Sequence, residues 1–322
     1  MTTSPDLRIP ELEPEAIRAA HGTIHPAFIH SPQYVHEGLS ARLGVPVIVK
    51  VETANPIRSF KGRGTWVAVS ALVGEGRIGP ERPVVCASAG NFGQGVAYAA
   101  RARGVPAIVF CSTRANPAKV ARMRALGATV IEVGEDFDAA RAASEAHAAE
   151  HDAELLVDGH DPRISTGAAT LALEITDGVD AFDLPAPALI AVPVGNGALL
   201  NGVGSWMRHG APGCMVLGIQ ASGADAMTRS WREGRPIDTP SAATYADGIA
   251  SRIAIPAAVA LMAGRVDAMV TVSDELLRSS QSILTDELGI TLEGAAAASW
   301  AGLIAADRPD GPVVVIVTGS NA

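Results

Sequence analysis

Short apolar runs rich in valine and isoleucine alternate along this chain with longer alanine-rich segments whose apolar positions recur at helical spacing. Apolar runs of about four to eight residues predict buried strands, and the longer periodic segments predict helices. Strands are predicted at residues 45–51, 84–87, 107–111, 129–133, 189–194, 216–220, 268–272 and 313–318. Helices are predicted at residues 63–74, 93–103, 117–126, 137–151, 167–177, 198–208, 274–288 and 293–305. The alternation indicates an α/β fold with mostly parallel sheets flanked by helices.

The composition excludes several classes of protein. The chain has 322 residues, 48% of them hydrophobic, and a formal net charge of −9. No cluster of lysine and arginine opposes the negative charge, so we expect no binding to nucleic acid or to a membrane surface. No apolar run is long enough to span a bilayer, and the polar, acidic start of the sequence is unlike a secretory signal.

The three cysteines, Cys86, Cys111 and Cys214, are scattered and lack the spacing of metal ligands. Each lies in an apolar run, so we expect buried free thiols. Such thiols fit a reducing compartment, and we therefore expect a cytoplasmic protein.

A lysine lies at the junction between a predicted strand and a predicted helix. It is Lys61, in the segment Asn-Pro-Ile-Arg-Ser-Phe-Lys-Gly-Arg-Gly at residues 55–64. The positive end of a helix and an apolar pocket both disfavour an ammonium group. A neutral amine is what Schiff-base chemistry requires. Taken alone, a lysine between glycines equally fits a solvated surface charge.

Two glycine-bearing loops follow predicted strands and lead into predicted helices. The first comprises Ser88, Ala89, Gly90, Asn91 and Phe92, and the second comprises Gly195, Asn196, Gly197, Ala198 and Leu199. Free backbone N–H groups at such turns bind anions, which suggests a carboxylate for the first loop and a phosphate for the second. The first loop also fits a helix cap. The second partly matches a dinucleotide fingerprint, but it lacks the spacing and the acidic residue.

The order of these motifs resembles that of fold-type II pyridoxal 5'-phosphate (PLP) enzymes, and within them the serine/threonine dehydratase family. A Ser-Phe-Lys-x-Arg-Gly turn is followed by Ser-Ala-Gly-Asn, then by a glycine loop, then by a hydroxyl after the last strand. The resemblance runs from about Ser31 to Asn321. It implies a tryptophan synthase β-like fold and a homodimer. It also implies a larger PLP-binding domain at residues 1–75 and 160–322, and a smaller domain at 76–159 that carries the asparagine loop.

The resemblance also implies a role for each motif. Lys61 would be the catalytic residue that forms the Schiff base with PLP. Phe60 would border the cofactor ring, Asn91 would bind the phenolic oxygen, and Thr318 would face the ring nitrogen. The backbone N–H groups of the second loop would hold the phosphate: Gly195, Asn196, Gly197, Ala198 and Leu199. The first loop would receive the substrate carboxylate: Ser88, Ala89, Gly90, Asn91 and Phe92.

The reaction implied is the conversion of a β-hydroxy amino acid, serine- or threonine-like, to a 2-keto acid and ammonia. Lys61 would take the α-proton, and the leaving hydroxyl would receive a proton from Lys61 or from the cofactor phosphate. The opening Asn55-Pro56 is instead similar to threonine synthases. A β- or γ-replacement enzyme, threonine synthase-like or cysteine synthase-like, is therefore the alternative. A binding protein that keeps the fold without catalysis is a third hypothesis.

Several positions depart from the dehydratase pattern. Phe92 stands where many dehydratases have histidine, and Ala168 where many have glutamine. Both changes predict a less polar pocket, which would admit a larger or aromatic β-substituent. Ala89 stands where eukaryotic serine racemases carry a serine, so we expect no efficient racemisation.

The cation site of those racemases is not expected here. Gln220 and Ala226 stand at the positions of its carboxylate ligands, and Asp225 is the acidic residue left between them. A hard cation needs several anionic or carbonyl oxygens, so we predict no metal. We also expect no regulatory domain after Asn321, because the sequence ends one residue later.

Overall fold

A computed structural model of the chain describes residues 9–321. Residues 1–8, which contain most of the polar start that is unlike a secretory signal, lie outside the described part, as does residue 322. The strands are β1 (Gln33–Val35), β2 (Val47–Val51), β3 (Val84–Ala87), β4 (Ala107–Cys111), β5 (Thr129–Glu132), β6 (Glu154–Leu155), β7 (Leu189–Pro193), β8 (Met215–Ala221), β9 (Ala268–Val272) and β10 (Val313–Val317).

These strands form two sheets. The six-stranded sheet has the order β1-β2-β10-β7-β8-β9, and the four-stranded sheet has the order β5-β4-β3-β6. Every pairing between these strands is parallel except that of β1 with β2. The predicted α/β fold with mostly parallel sheets is confirmed. The strands of the smaller sheet all lie between residues 84 and 155; the division into two domains stays a prediction.

Helices surround both sheets. They are α1 (Pro14–Thr23), α2 (Glu37–Leu43), α3 (Lys61–Gly74), α4 (Asn91–Arg101), α5 (Pro117–Ala125), α6 (Phe137–Glu150), α7 (Pro162–Gly178), α8 (Ala198–Gly210), α9 (Ala226–Glu233), α10 (Pro256–Met262), α11 (Asp274–Leu288) and α12 (Ala298–Ala305). Sequence analysis missed α1, α2, α9 and α10, and also the short strands β1 and β6. The single helix predicted at 293–305 is wrong in its first turn, because Gly294–Ala297 forms a 3₁₀ helix before α12 begins.

Strand β10 shows how the larger sheet is buried on both faces. Val314 and Ile316 lie in one apolar core, whereas Val313, Val315 and Val317 lie in the core on the opposite face. Successive side chains of a strand point to opposite faces, so a strand covered by helices on both sides must be apolar throughout. This is why the run reads as uninterrupted valine and isoleucine.

The starts of two helices explain differences from the predicted bounds. Helix α7 begins at Pro162, five residues before its predicted start, because the Asp161 side chain accepts a hydrogen bond from the Arg163 N–H. A capping aspartate followed by proline is a strong helix start. Helix α3 begins at Lys61 itself, so the lysine lies in the first turn.

The three cysteines are buried and free, as expected. Burial raises the pKa of the Cys214 thiol to about 12, which keeps it protonated and unreactive. Within residues 9–321, no helix combines the length and the apolar character needed to cross a membrane.

Candidate active site

A cavity of about 690 Å³ brings the four sequence motifs together. Phe60 and Lys61, residues 88–92, residues 195–199 and Thr318 all line it. The loops that carry them follow β3, β7 and β10 or enter α3. In open parallel sheets, ligands bind beyond the carboxyl ends of the strands. All the predicted site residues therefore share one site, although they are spread over 259 positions of the chain from Phe60 to Thr318 (counting both ends).

Lys61 points into this cavity with an acidic partner. Its Nζ lies 2.6 Å from Oδ2 of Asp158, and 4.8 Å and 5.9 Å from the ring centroids of Phe60 and Phe92. The chain has two other lysines. Lys50 is buried in an ion pair, and Lys119 lines the same cavity but is paired with Asp247.

The loop after β7 presents unused backbone donors. In residues 9–321, no hydrogen bond uses the N–H groups of residues 195–199, which lie at the N-terminus of the 13-residue helix α8. Gly197 has a φ of +92°, which L side chains rarely adopt. A Cβ on Gly195 would lie 2.7 Å from the carbonyl oxygen of Gly248. The loop thus has the close approach and the free donors of an anion cradle.

Asn91 belongs to a polar cluster that links the two sheets. Its Nδ2 donates to both carboxylate oxygens of Glu293 at 2.9 Å, and its Oδ1 accepts from Nδ2 of Asn321 at 2.8 Å. The backbone N–H of Asn321 also donates to Glu293. These bonds fix the Asn91 amide at the cavity wall.

The end of β10 holds the turn that carries Lys61. The Phe60 N–H donates to the carbonyl oxygen of Thr318 at 3.1 Å, and Ser59 pairs with Gly319 in an antiparallel bridge. Thr318 is buried and lines the cavity. The hydroxyl and the lysine are therefore held in a constant relative position.

A buried charge network lies behind this turn. Arg63, fully buried two residues after Lys61, binds Glu52 and Glu174 through two hydrogen bonds each, at 2.8–2.9 Å. Lys50 adds an ion pair of 2.6 Å to Glu174. Two cations thus balance two carboxylates, which is the condition for burying charge.

Comparison with known proteins identifies the family. Residues 27–319 match the family model described as "Pyridoxal-phosphate dependent enzyme". The chain belongs to this family.

Individual relatives agree with the family. L-threonine ammonia-lyase of Geobacter sulfurreducens is 31% identical over 295 residues, which cover 91% of this chain and 70% of that protein. Phenylserine dehydratase of Ralstonia pickettii is 33% identical over 281 residues, covering 86% of this chain and 83% of that protein. The processed form of threonine deaminase isoform 2 from Solanum lycopersicum has a TM-score of 0.86 and 27% identity, and the match covers 100% of this chain and 93% of that chain.

The site has the groups that PLP requires. The cofactor has an aldehyde, which an amine must bind, and a phosphate, which needs several N–H donors. An amine, that of Lys61, and the unused N–H groups of residues 195–199 both line the cavity, so the residues present fit these two groups. PLP is therefore the cofactor of this enzyme.

Sequence analysis missed two acidic residues of the site and misplaced one pocket position. Asp158 follows β6, so its position after a parallel strand was an available signal. Glu293 was predicted only as the first residue of a helix, and it precedes the 3₁₀ helix Gly294–Ala297. The expectation that Ala168 makes the pocket less polar is wrong. Ala168 is buried in the core around α7 and α8 and does not line the cavity.

The positions compared with the racemase cation site have other contacts. Gln220 accepts hydrogen bonds from the N–H and hydroxyl of Thr228, and Asp225 pairs with Arg229. The absence of a metal site there stays a prediction.

We expect Gly195→Ala to weaken PLP binding about tenfold or more, equivalent to about 1.4 kcal/mol. The added Cβ meets the Gly248 carbonyl oxygen at 2.7 Å, so the cradle must move. Titration of the apoprotein with PLP, followed by cofactor absorbance, measures the effect. Gly213→Ala is the control, because a Cβ there meets nothing within 4 Å. Equal affinities in the two variants would place the phosphate elsewhere.

Glu293 gives a pH-dependent prediction. Burial, the largest cause, raises its pKa above the ordinary value, although the hydrogen bond from Asn91 and the charge of Lys119 act in the opposite direction. The native state then holds this proton more tightly than the unfolded state, so stability is lost as pH rises through the native pKa. We expect Glu293→Gln to remove this loss in denaturant unfolding measured over a pH series. Parallel pH curves for wild type and variant would contradict it. Glu132→Gln is the control, because Glu132 forms an exposed ion pair with Arg124.

Proposed function

We propose that this PLP-dependent enzyme is a carbon–oxygen lyase that removes water from a β-hydroxy amino acid and releases a 2-keto acid and ammonia. The observation that carries the proposal is the placement of the Lys61 amine, beside a carboxylate, in the cavity that ends on the phosphate cradle. The names of its relatives support it, since they include an L-threonine ammonia-lyase and a phenylserine dehydratase.

In this proposal each wall of the cavity binds one part of the reacting molecules. The N–H groups of residues 195–199 hold the phosphate, and Phe60 borders the ring. Asn91, fixed by Glu293, donates to the phenolic oxygen. The N–H groups of the loop at residues 88–92, at the N-terminus of α4, receive the substrate carboxylate.

Lys61 is the catalytic base of the proposal. Bound PLP supplies an electron sink that makes the Cα–H bond of a joined amino acid acidic. Lys61 would hold the cofactor through its aldehyde, and its free amine would take the α-proton. The Thr318 hydroxyl faces the ring nitrogen. A neutral hydroxyl stabilises a positive ring nitrogen less than a carboxylate does. The ring therefore withdraws fewer electrons, which in this proposal favours prompt loss of the β-substituent.

The pocket walls favour an apolar β-substituent. Phe92 is buried in the wall, and Phe137 lies at the rim with 43% of its surface exposed. In the proposal, an apolar side chain larger than a methyl group packs against one of these rings. We therefore include aromatic β-hydroxy amino acids in the proposed substrate class.

The test is release of keto acid and ammonia from a panel of β-hydroxy amino acids by purified enzyme with PLP. The panel contains serine, threonine, 3-hydroxyaspartate and phenylserine in their stereoisomers. Release from any member supports dehydration and names the side chain accepted. A protein that binds PLP but releases no keto acid, and forms a second product when thiols are added, would favour replacement. The homodimer and the cytoplasmic location stay predictions.

A further inference from the structure

The cavity is lined by an acidic side chain, Asp158, that the proposed mechanism does not use. Asp158 contacts Lys61 through Oδ2, but its other oxygen, Oδ1, is buried and has no hydrogen-bond partner in residues 9–321. A buried carboxylate oxygen without a donor is unfavourable. Three other acidic side chains of the cavity wall have a polar partner: Asp247 pairs with Lys119, Asp138 pairs with Arg252, and Glu293 accepts a hydrogen bond from Asn91.

The turn that carries Asp158 is held in place by the phosphate cradle. The next residue, Gly159, has a φ of +82°, and a Cβ there would lie 2.5 Å from the carbonyl oxygen of Asn196. Asp158 itself is largely buried, with 13% of its side chain exposed. The carboxyl is therefore fixed between the amine that takes the α-proton and the loop that holds the phosphate.

We propose that Asp158 is a catalytic acid of the dehydration, which delivers the proton that it shares with Lys61 on Oδ2 to the leaving β-hydroxyl and then regains a proton from Lys61. This inference rests on the proposed function. The ion pair of Lys61 with Asp158 contains the same number of protons as a neutral amine beside a neutral acid. The pair can therefore enter the reaction as a neutral amine beside a neutral acid, without exchanging a proton with solvent.

The step balances. Lys61 Nζ takes the α-proton, and the electrons of that C–H bond form the Cα–Cβ double bond. The Cβ–O bond breaks with its electron pair on oxygen, which takes the proton that Asp158 holds on Oδ2 and leaves as water. Oδ2 then takes the extra proton of Lys61, which restores the neutral amine and the neutral acid. Direct donation by Lys61, the competing route, needs no carboxyl.

The first test uses the leaving group. A hydroxyl needs a proton to leave, whereas the chloride of β-chloroalanine does not. With the PLP-loaded enzyme, Asp158→Asn is expected to lower turnover of the accepted β-hydroxy amino acid about 100-fold, the size of a general-acid contribution, and that of β-chloroalanine less than about 10-fold. Asp161→Asn is the matched control, because it changes a carboxyl of the same loop that pairs with Arg163 and does not line the cavity.

The second test uses the apoprotein. Asp158→Asn removes the anion that holds the Lys61 ammonium, so an amine reagent at neutral pH is expected to label Lys61 several-fold faster than in wild type. Mass spectrometry reads each site separately, with the buried Lys50 as internal reference. If the amide variant does not fold, Asp158→Ser replaces it, since both lack the carboxyl.

Equal losses for both leaving groups, or an unchanged labelling rate, would overturn the inference and leave Asp158 as a residue that only positions Lys61. Release of keto acid from neither compound by wild type would instead overturn the proposed function, and this inference with it.

Discussion

Lys61→Ala is expected to release keto acid from the best substrate of the panel at least about 1,000-fold more slowly, because in the proposed mechanism one side chain supplies both the covalent attachment of PLP and the base for the α-proton. The variant should remain folded. Its lysine lies in the first turn of α3, where the helix dipole disfavours a cation, and 16% of the side chain is exposed.

Borohydride reduction makes this prediction specific. Reduction of the wild-type enzyme fixes PLP to the lysine that binds it, and the chain has only three lysines. We expect the label on Lys61 in wild type and no label in Lys61→Ala. The alternative amine at the cavity is Lys119. A label on Lys119, or turnover that persists in the variant, would refute the assignment.

Glu174→Gln is expected to reduce the free energy of unfolding by about 3–5 kcal/mol, because it leaves Arg63 and Lys50 buried with one carboxylate between them. Arg63 is fully buried and Lys50 is 1% exposed. Burial opposes ionisation of Glu174, but the hydrogen bonds and charge of Arg63, followed by Lys50, outweigh it and hold its pKa well below the usual range.

The lowered pKa gives the sign of the pH dependence. The stability that Glu174 contributes is present above the ordinary glutamate pKa and is lost as pH falls through the native-state pKa. Urea unfolding should therefore show the full difference between wild type and variant at neutral pH and a smaller one in acid. Glu132→Gln is the control, because its partner Arg124 is exposed and such pairs contribute about 0–1 kcal/mol. A variant as stable as wild type at neutral pH would mean that the network does not stabilise the fold.

This network also affects the site. Arg63 lies two residues after Lys61 on α3, and its partner Glu174 lies on α7. Helices α3 and α7 pack so closely that a Cβ on Gly167 would lie 2.5 Å from the carbonyl oxygen of Arg63. Loss of the network should therefore disturb the turn that presents Lys61 as well as global stability.

Local patterns predicted most of the fold. Each predicted strand corresponds to an observed strand. The runs that form β2, β7 and β10 are buried along their whole length, and such apolar runs cannot be solvent-exposed loops. The strands missed, β1 and β6, have three and two residues. Segments this short contain too few side chains to show an alternation of apolar and polar residues. They form strands because a neighbouring strand offers backbone hydrogen bonds.

The order of Lys61, the asparagine loop, the phosphate loop and Thr318 was sufficient for the family, the cofactor and the location of the cavity. Each of these motifs lies at a strand-to-helix junction, and junctions of a parallel sheet share one edge. The sequence by itself thus determined which segments line the cavity. It favoured elimination from a β-hydroxy amino acid and left replacement as the alternative.

Only the tertiary structure decided which side chains touch. Asp158 meets Lys61 across 97 residues, Arg63 meets Glu174 across 111, and Asn91 meets Glu293 across 202. Such pairs depend on the sheet order, in which the last strand, β10, is inserted between β2 and β7. Periodicity and spacing describe neighbours along the chain, whereas the partners of buried charges are set by burial and by the packing of distant elements.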